Sequence, residues 1–179
     1  MRPSPRRMKV LNLGRGVDWP LRYHNSVIAK MLNDIRIIGW GNLDREDDGA
    51  GILVARRLVQ LGVPALSCTG EALALVDAWK GASDVIIVDA AVTGAPLGTI
   101  RLWNIESTDL PSPLSANSHG FGLAEALTLA STLGQLPARL RFFGIEAAKF
   151  GFGSDVSPEV VAAVERAARQ IAAEFKHLL

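Results

Sequence analysis

Apolar and polar positions from residue 34 onwards form two kinds of pattern, which alternate along the chain. Short, nearly continuous apolar runs predict strands at 35–39, 65–68, 85–89, 99–104 and 140–145. The run VIIV before Asp89 indicates a central strand that is buried on both faces. Apolar residues at helical spacing predict helices at 50–61, 71–79 and 122–133. A last helix opens with an N-cap serine, Ser157, and Pro158, and runs to about residue 176.

This alternation of strands and helices predicts an α/β fold. We expect a three-layer α/β/α sandwich with a mainly parallel central sheet and the strand 99–104 at an edge. Residues 1–33 lack such a pattern, and the first fifteen positions hold five of the 19 basic residues and no acid. We therefore predict a basic N-terminal extension of uncertain structure over residues 1–33 and a single domain over residues 34–179. Because acids outnumber bases in that domain, no nucleic-acid partner is expected.

Cysteine content and hydropathy predict the compartment. The one cysteine, Cys68, rules out an internal disulfide framework and fits a reducing environment. The longest apolar candidate, residues 85–100, is interrupted by Asp89 and by two glycines, so no run reaches the ~18 residues that span a bilayer. The basic N-terminal segment is not followed by a continuous apolar region, as a signal peptide would require. We therefore expect a soluble cytoplasmic protein without membrane insertion.

The segment IRIIGWGNLDREDDGAG, residues 35–51, combines a predicted strand, a glycine-rich turn and three acids before a predicted helix. Its start is similar to a dinucleotide-binding fingerprint, but Asp44 stands where the third glycine belongs. Carboxylates at a strand end repel phosphate, whereas they bind cations or activate water. The segment therefore excludes a nucleotide site and favours a cation site.

Asp48, Asp89 and His119 are the candidate site residues. Asp48 follows the first core strand, Asp89 ends the central strand, and His119 lies just before a predicted helix. Because the carboxyl ends of parallel strands share one edge of a sheet, these side chains are expected to converge there. Two carboxylates and an imidazole suit a divalent cation such as nickel or zinc, with positions left open for a substrate.

Each candidate also has a purely structural interpretation. Asp47 or Asp48 could cap the following helix, since acids are favoured at a helix N-terminus. Asp89 could hydrogen-bond a loop, and His119 could be a loop residue without a ligand. Cys68 paired with His119 could form a thiol nucleophile, although a single cysteine near a strand end is more often a small buried residue.

Three motifs in order resemble the hydrogenase maturation endopeptidases, which process the large subunit of nickel–iron hydrogenases. They are GWGNLDREDDGAG (39–51), VIIVDA (85–90) and SHGFGLAEAL (118–127). Two later segments, FFGIEAAKF (142–150) and SDVSPEV (154–160), are similar to one branch of that family. The likeness covers residues 35 to about 175, and the basic segment before it departs from the usual family start.

The resemblance implies a phosphorylase/hydrolase-like fold and a role for each motif. It assigns a metal-recognition site to Asp48, Asp89 and His119, and it leaves both carboxylates, Asp48 and Asp89, as candidates for the catalytic general base. The loop expected to support this site contains Gly41, Asn42, Asp47 and Gly49, and Asn42 would orient it by hydrogen bonding.

The resemblance also implies a substrate and a metal. The family cuts a short C-terminal extension from the nickel–iron hydrogenase large-subunit precursor after nickel insertion. The nickel is supplied by that substrate, and other divalent ions such as zinc or cadmium could occupy the site in vitro. A nickel-dependent endopeptidase, acting as a monomer, is therefore expected. The alternative is a non-catalytic nickel-sensing or docking module in hydrogenase assembly.

Overall fold

The described part of the protein is built around a central five-stranded sheet. The computed structural model describes residues 34–106 and 118–177, without the side chains of residues 118–121 and 177. The strands are β1 (Ile35–Trp40), β2 (Leu66–Cys68), β3 (Asp84–Ala91), β4 (Ile100–Ile105) and β5 (Arg139–Glu146). The helices are α1 (Ala50–Gln60), α2 (Ala72–Trp79), α3 (Ser118–Thr132) and α4 (Pro158–His177), and a 3-10 helix spans Glu46–Gly49. Every strand and helix predicted from the sequence pattern is present.

The strand order in the sheet is β2-β1-β3-β5-β4. The first four strands in this order run parallel, with Gly39 beside Val88 and Val88 beside Phe143. β4 pairs antiparallel with β5 at the edge. The predictions of a mainly parallel sheet and of an edge position for the fourth strand are therefore confirmed.

Helices cover both faces of the sheet. α1 and α4 pack against each other on one face, and α2 and α3 cover the other. All eight residues of β3 are buried, and adjacent side chains such as Ile87 and Val88 belong to opposite cores. A strand with alternate side chains in two apolar cores must be apolar throughout, which explains the VIIV run. The three-layer α/β/α prediction is confirmed.

The start of α3 differs from the prediction. The helix begins at Ser118, four residues before the predicted start at Gly122. A Cβ on Gly122 would lie 2.6 Å from Cη2 of Trp40. Gly122 therefore permits a close approach of the helix to Trp40 and does not break the helix.

Some predictions fall outside the described residues. The N-terminal extension, residues 1–33, is one of these, and the segment 107–117 between the fourth predicted strand and the third predicted helix also lies outside them. Among the helices that are described, none has the length and apolar character needed to cross a bilayer.

Candidate active site

A cleft of about 460 Å³ opens at the edge of the sheet where the parallel strands β1 and β3 end. Two of the three predicted site residues, Asp48 and Asp89, line it together. Its full lining is Trp40, Gly41, Asn42, Arg45, Asp48, Gly70, Asp89 and Gly122. The convergence expected from strand ends that share an edge is therefore found for both carboxylates.

His119 belongs to the first turn of α3, three residues before Gly122, which lines the cleft. Its backbone is therefore about one helical turn from a residue that lines the cleft, but its side chain is outside the described part of the structure. Among the described side chains, no group of three histidines, cysteines or acids gathers around a common point. Asp48 and Asp89 form a pair, and a three-ligand site that includes His119 stays a prediction.

The loop before Asp48 is shaped by close backbone contacts. Gly41 has φ +141°, and a Cβ there would overlap the carbonyl oxygen of Asp48. The backbone N–H of Asn42 donates to that same oxygen at 3.2 Å. The side-chain oxygen of Asn42 accepts a hydrogen bond from the N–H of Asp44 at 2.9 Å. Asn42 thus makes a hydrogen bond of the kind that its predicted orienting role requires.

Glycines also bring α1 against the strands. A Cβ on Gly51 would overlap the carbonyl oxygens of Trp40 and Val88, and a Cβ on Gly39 would overlap that of Gly51. A Cβ on Gly49 would lie 3.1 Å from Leu43 Cδ2. The glycines of this motif therefore allow backbones to approach, which carries the acids that precede α1 to the end of β3. A phosphate ligand is not needed to explain them.

Asp89 sits in an environment that disfavours its charge. Its side chain is 3% exposed, and its Oδ1 accepts a hydrogen bond from the N–H of Ala90 at 2.7 Å. Burial, and then repulsion from Asp48, raise the pKa of Asp89 well above its ordinary value, against a smaller opposite effect of the Ala90 hydrogen bond. A proton or a cation between the two carboxylates would reduce both the cost of burying the charge of Asp89 and its repulsion from Asp48. The donor set thus fits a divalent ion.

Asp47 has a different role from its neighbour. It is fully buried, and its Oδ1 accepts the backbone N–H of Ser157 at 2.7 Å. Its Oδ2 accepts the Ser157 hydroxyl at 3.1 Å and the N–H groups of Ala148 and Lys149 at 3.2 and 3.0 Å. The N-cap of α1 is Gly49. Asp47 therefore ties the loop after β1 to the segment after β5, and the interpretation of Asp47 as a helix cap is wrong.

These hydrogen bonds also set the ionisation of Asp47. Burial by itself raises the pKa of Asp47, but the donors from Ser157, Lys149 and Ala148 together outweigh it and lower that pKa below its ordinary value. The carboxylate is therefore held in its charged form as a structural anion.

Glu146 is a structurally important acid that is not among the predicted site residues. It ends β5 and is 5% exposed. Its Oε1 accepts the N–H groups of Thr93 and Gly94, both at 2.8 Å, and its Oε2 accepts the Thr93 hydroxyl at 2.6 Å. The carboxylate thus fixes the loop that leaves β3. The available signal was the same as for Asp89, namely an acid at the end of a buried apolar run.

Cys68 does not have the properties of a nucleophile. It is buried, and burial raises the pKa of its thiol, which disfavours the reactive thiolate. Its carbonyl oxygen accepts a hydrogen bond from the N–H of Gly41 at 3.3 Å, so the backbone of Cys68 helps to hold the loop that precedes Asp48. The interpretation of Cys68 as a small buried residue fits this environment.

A sequence model of one protein family, hydrogenase maturation protease, matches residues 69–174 of the chain. This span contains Asp89 and His119, and Asp48 lies before it. The chain is also similar to the hydrogenase expression/formation protein HupD of Thiocapsa roseopersicina, with 29% identity over 136 residues. That match covers 71% of this chain and 61% of HupD, so the chain spans less than two thirds of the length of this relative.

Solved structures provide a second comparison. The [NiFe] hydrogenase maturation protease HybD from Thermococcus kodakarensis superposes with a TM-score of 0.66 at 27% identity, covering 79% of this chain and 97% of that one. HycI from Thermococcus kodakarensis KOD1 gives a TM-score of 0.64 at 26% identity, with 80% and 93% covered. HybD from E. coli gives 0.68 at 24% identity, with 80% and 92% covered, which shows a shared fold.

Proposed function

Since the chain belongs to the hydrogenase maturation protease family, we propose that it is an endopeptidase acting on the large-subunit precursor of a nickel–iron hydrogenase. It removes the C-terminal extension of that precursor after nickel has been inserted. The observation that carries this proposal is the pairing of Asp48 with the buried Asp89 in one open cleft. The pair offers a site for the precursor's nickel and a proton acceptor for peptide hydrolysis.

The proposed nickel requirement has a physical basis in the charge of this pair. Without a cation, Asp48 repels the charged form of Asp89, and burial adds to the cost of that charge. A nickel ion carried by the precursor compensates both carboxylates, with His119 as the proposed third ligand. A precursor without nickel offers no such compensation and binds less tightly. Nickel loading is thus checked through the affinity of the cleft.

The chemistry asked of the chain is proton transfer. A carboxylate of the pair accepts a proton from the attacking water and returns it to the leaving amine as the peptide bond is hydrolysed. Asp89 is our choice for this base, because burial, the larger cause of its raised pKa, remains when nickel compensates the charge of Asp48, and a carboxylate with a raised pKa takes up a proton more readily near neutral pH. Asp48 then acts mainly as the nickel ligand. We propose that the enzyme works in the cytoplasm as a monomer.

A processing assay tests this function. The protein is incubated with nickel-loaded and with nickel-free precursor, and shortening of the large subunit is followed by mass spectrometry. We expect cleavage of the loaded precursor alone, and losses of about 10²- to 10⁴-fold in rate for Asp89→Asn. The matched control is Asp77→Asn, because Asp77 is an exposed acid near the end of α2, at the opposite edge of the sheet.

Two results would contradict the proposal. Equal cleavage of the two precursor forms would remove the nickel requirement, and normal processing by Asp89→Asn would remove the site assignment. If the wild-type protein binds the loaded precursor tightly but never shortens it, the non-catalytic nickel-sensing or docking module is the correct function.

A further inference from the structure

Phe152 is far more exposed than any other large apolar side chain in the described residues. Phe152 is 96% exposed as a residue, whereas the next in order, Val59, is 58% exposed. Scattered, partly exposed apolar residues are ordinary on protein surfaces. A phenyl ring almost wholly in water contributes nothing to the packing of the core. Its presence at this position therefore has no explanation in the stability of the fold.

The loop that carries Phe152 is fixed to the acidic loop by hydrogen bonds. We call residues 148–154 the rim loop. The N–H of Glu46 donates to the carbonyl oxygen of Gly153 at 2.8 Å, and the N–H of Gly153 donates to that of Asp44 at 2.9 Å. The N–H of Gly151 donates to the carboxylate of Glu46 at 2.8 Å. Both glycines that flank Phe152 are thus held, so the aromatic ring is presented from a fixed backbone.

The rim loop is continuous with the cleft. Arg45 lines the cleft, and its Nη2 donates to the carbonyl oxygen of Phe150 at 3.1 Å. Glu46, which holds the rim loop, is separated from Asp48 by one residue within the same 3-10 helix. The loop that carries Phe152 is therefore bonded directly to a residue of the cleft and to the 3-10 helix that carries Asp48.

We propose that Phe152 is a docking anchor that inserts into an apolar pocket on the folded large-subunit precursor. This inference rests on the proposed function, because the precursor is the protein whose segment must enter the cleft. Phenylalanine is enriched at protein–protein interfaces, together with tyrosine and tryptophan, and a few residues of an interface carry most of its binding energy. A ring on a fixed backbone also loses little conformational freedom when it binds. Phe152 thus acts on affinity for the precursor and not on the chemical step.

The test compares variants in both binding and processing of nickel-loaded precursor. The variants are Phe152→Ala, Phe152→Leu and the control Leu133→Ala, which truncates a half-exposed side chain just after α3, at the opposite edge of the sheet. For Phe152→Ala we expect Kd and KM to rise about 10- to 100-fold while kcat stays within about twofold. Phe152→Leu should recover part of the affinity, and Leu133→Ala should match the wild type.

The readouts separate this proposal from the proposed function. Wild-type binding without cleavage would end the endopeptidase proposal, and a weakened Kd for Phe152→Ala would still support the anchor. Wild-type cleavage together with an unchanged Kd and KM in Phe152→Ala would overturn the anchor alone. A change of oligomeric state in Phe152→Ala with an unchanged Kd would also overturn it, in favour of contact between two copies of the chain. Equal melting temperatures confirm that the variants are folded.

Discussion

Ser157 donates both its backbone N–H and its hydroxyl to the carboxylate of Asp47, across 110 residues of sequence. The two bonds join the 3-10 helix before α1 to the residue that precedes α4. Asp47 is thereby turned away from the cleft, and Asp48, the next residue, lines it. The two adjacent aspartates therefore have separate roles: Asp47 has a structural role, which we call its frame role, and Asp48 is part of the site itself.

Removal of the Asp47 carboxylate should destabilise the fold. Asp47→Ala leaves the N–H groups of Ala148, Lys149 and Ser157 without their acceptor, and we expect a loss of about 2–4 kcal/mol in the free energy of unfolding. Ser157→Ala removes one hydroxyl donor and should cost only about 1 kcal/mol. Urea denaturation measures both. Equal losses in the two variants would contradict the frame role.

Acid should remove the same contribution in the wild type. The folded pKa of Asp47 is lowered, so its stabilising effect is complete above the unfolded pKa of about 3.9 and is lost as pH falls through the folded value. We expect the free energy of unfolding to fall less steeply on acidification in Asp47→Ala than in the wild type. Parallel pH profiles would show that the pKa of Asp47 is the same in the folded and unfolded states.

Asp89 should have the opposite effect on stability. Its folded pKa is raised, so its contribution is complete below the unfolded pKa of about 3.9 and is lost as pH rises through the folded value. Metal-free Asp89→Asn should therefore melt above the wild type, by about 2–4 °C for each kcal/mol gained, and the difference should grow with pH. Thermal unfolding from about pH 5 to about pH 9 measures it. A variant that melts lower across this range would show that the carboxylate has an unrecognised stabilising partner.

Gly51 should not tolerate a side chain. Gly51→Ala places a Cβ into the carbonyl oxygens of Trp40 and Val88, and we expect a loss of at least about 3 kcal/mol or failure to fold. The matched control is Gly62→Ala, where the Cβ meets no atom within 4 Å and only the φ of +79° is strained, at about 1–2 kcal/mol. Denaturation of both variants gives the comparison. Similar small losses would mean that α1 can move away from the strands.

Glu146 should control the loop that leaves β3. Glu146→Ala removes the acceptor of the Thr93 and Gly94 N–H groups and should cost about 1–3 kcal/mol. Glu146→Gln keeps one acceptor oxygen and should cost less. Hydrogen exchange at Thr93 and Gly94 should accelerate strongly in Glu146→Ala and weakly in Glu146→Gln. Unchanged exchange in the alanine variant would show that other bonds hold this loop.

Several features of the site could be predicted from the sequence because they follow from local rules. Asp48 and Asp89 could be placed together, since parallel strands end at a common edge of the sheet. An acid at the end of a buried strand also needs a partner, because burying an unpaired charge is costly in free energy. The same rule applied to Glu146 would have found it as well. The need for a glycine at position 122 could not be predicted, because it depends on Trp40, which is distant in sequence.

The sequence by itself determined the alternation of strands and helices, the buried central strand and the acidic character of the cleft. Each of these follows from side-chain periodicity or from the residue that directly follows a strand. Only the tertiary structure shows why Asp48, which the family resemblance had indicated, lines the cleft while its neighbour Asp47 does not. That choice is made by donors from residues 148–157, which no local pattern connects to the acidic loop. The same long-range contacts decided that Phe152 is held in water at the rim, because exposure depends on what the rest of the chain leaves uncovered.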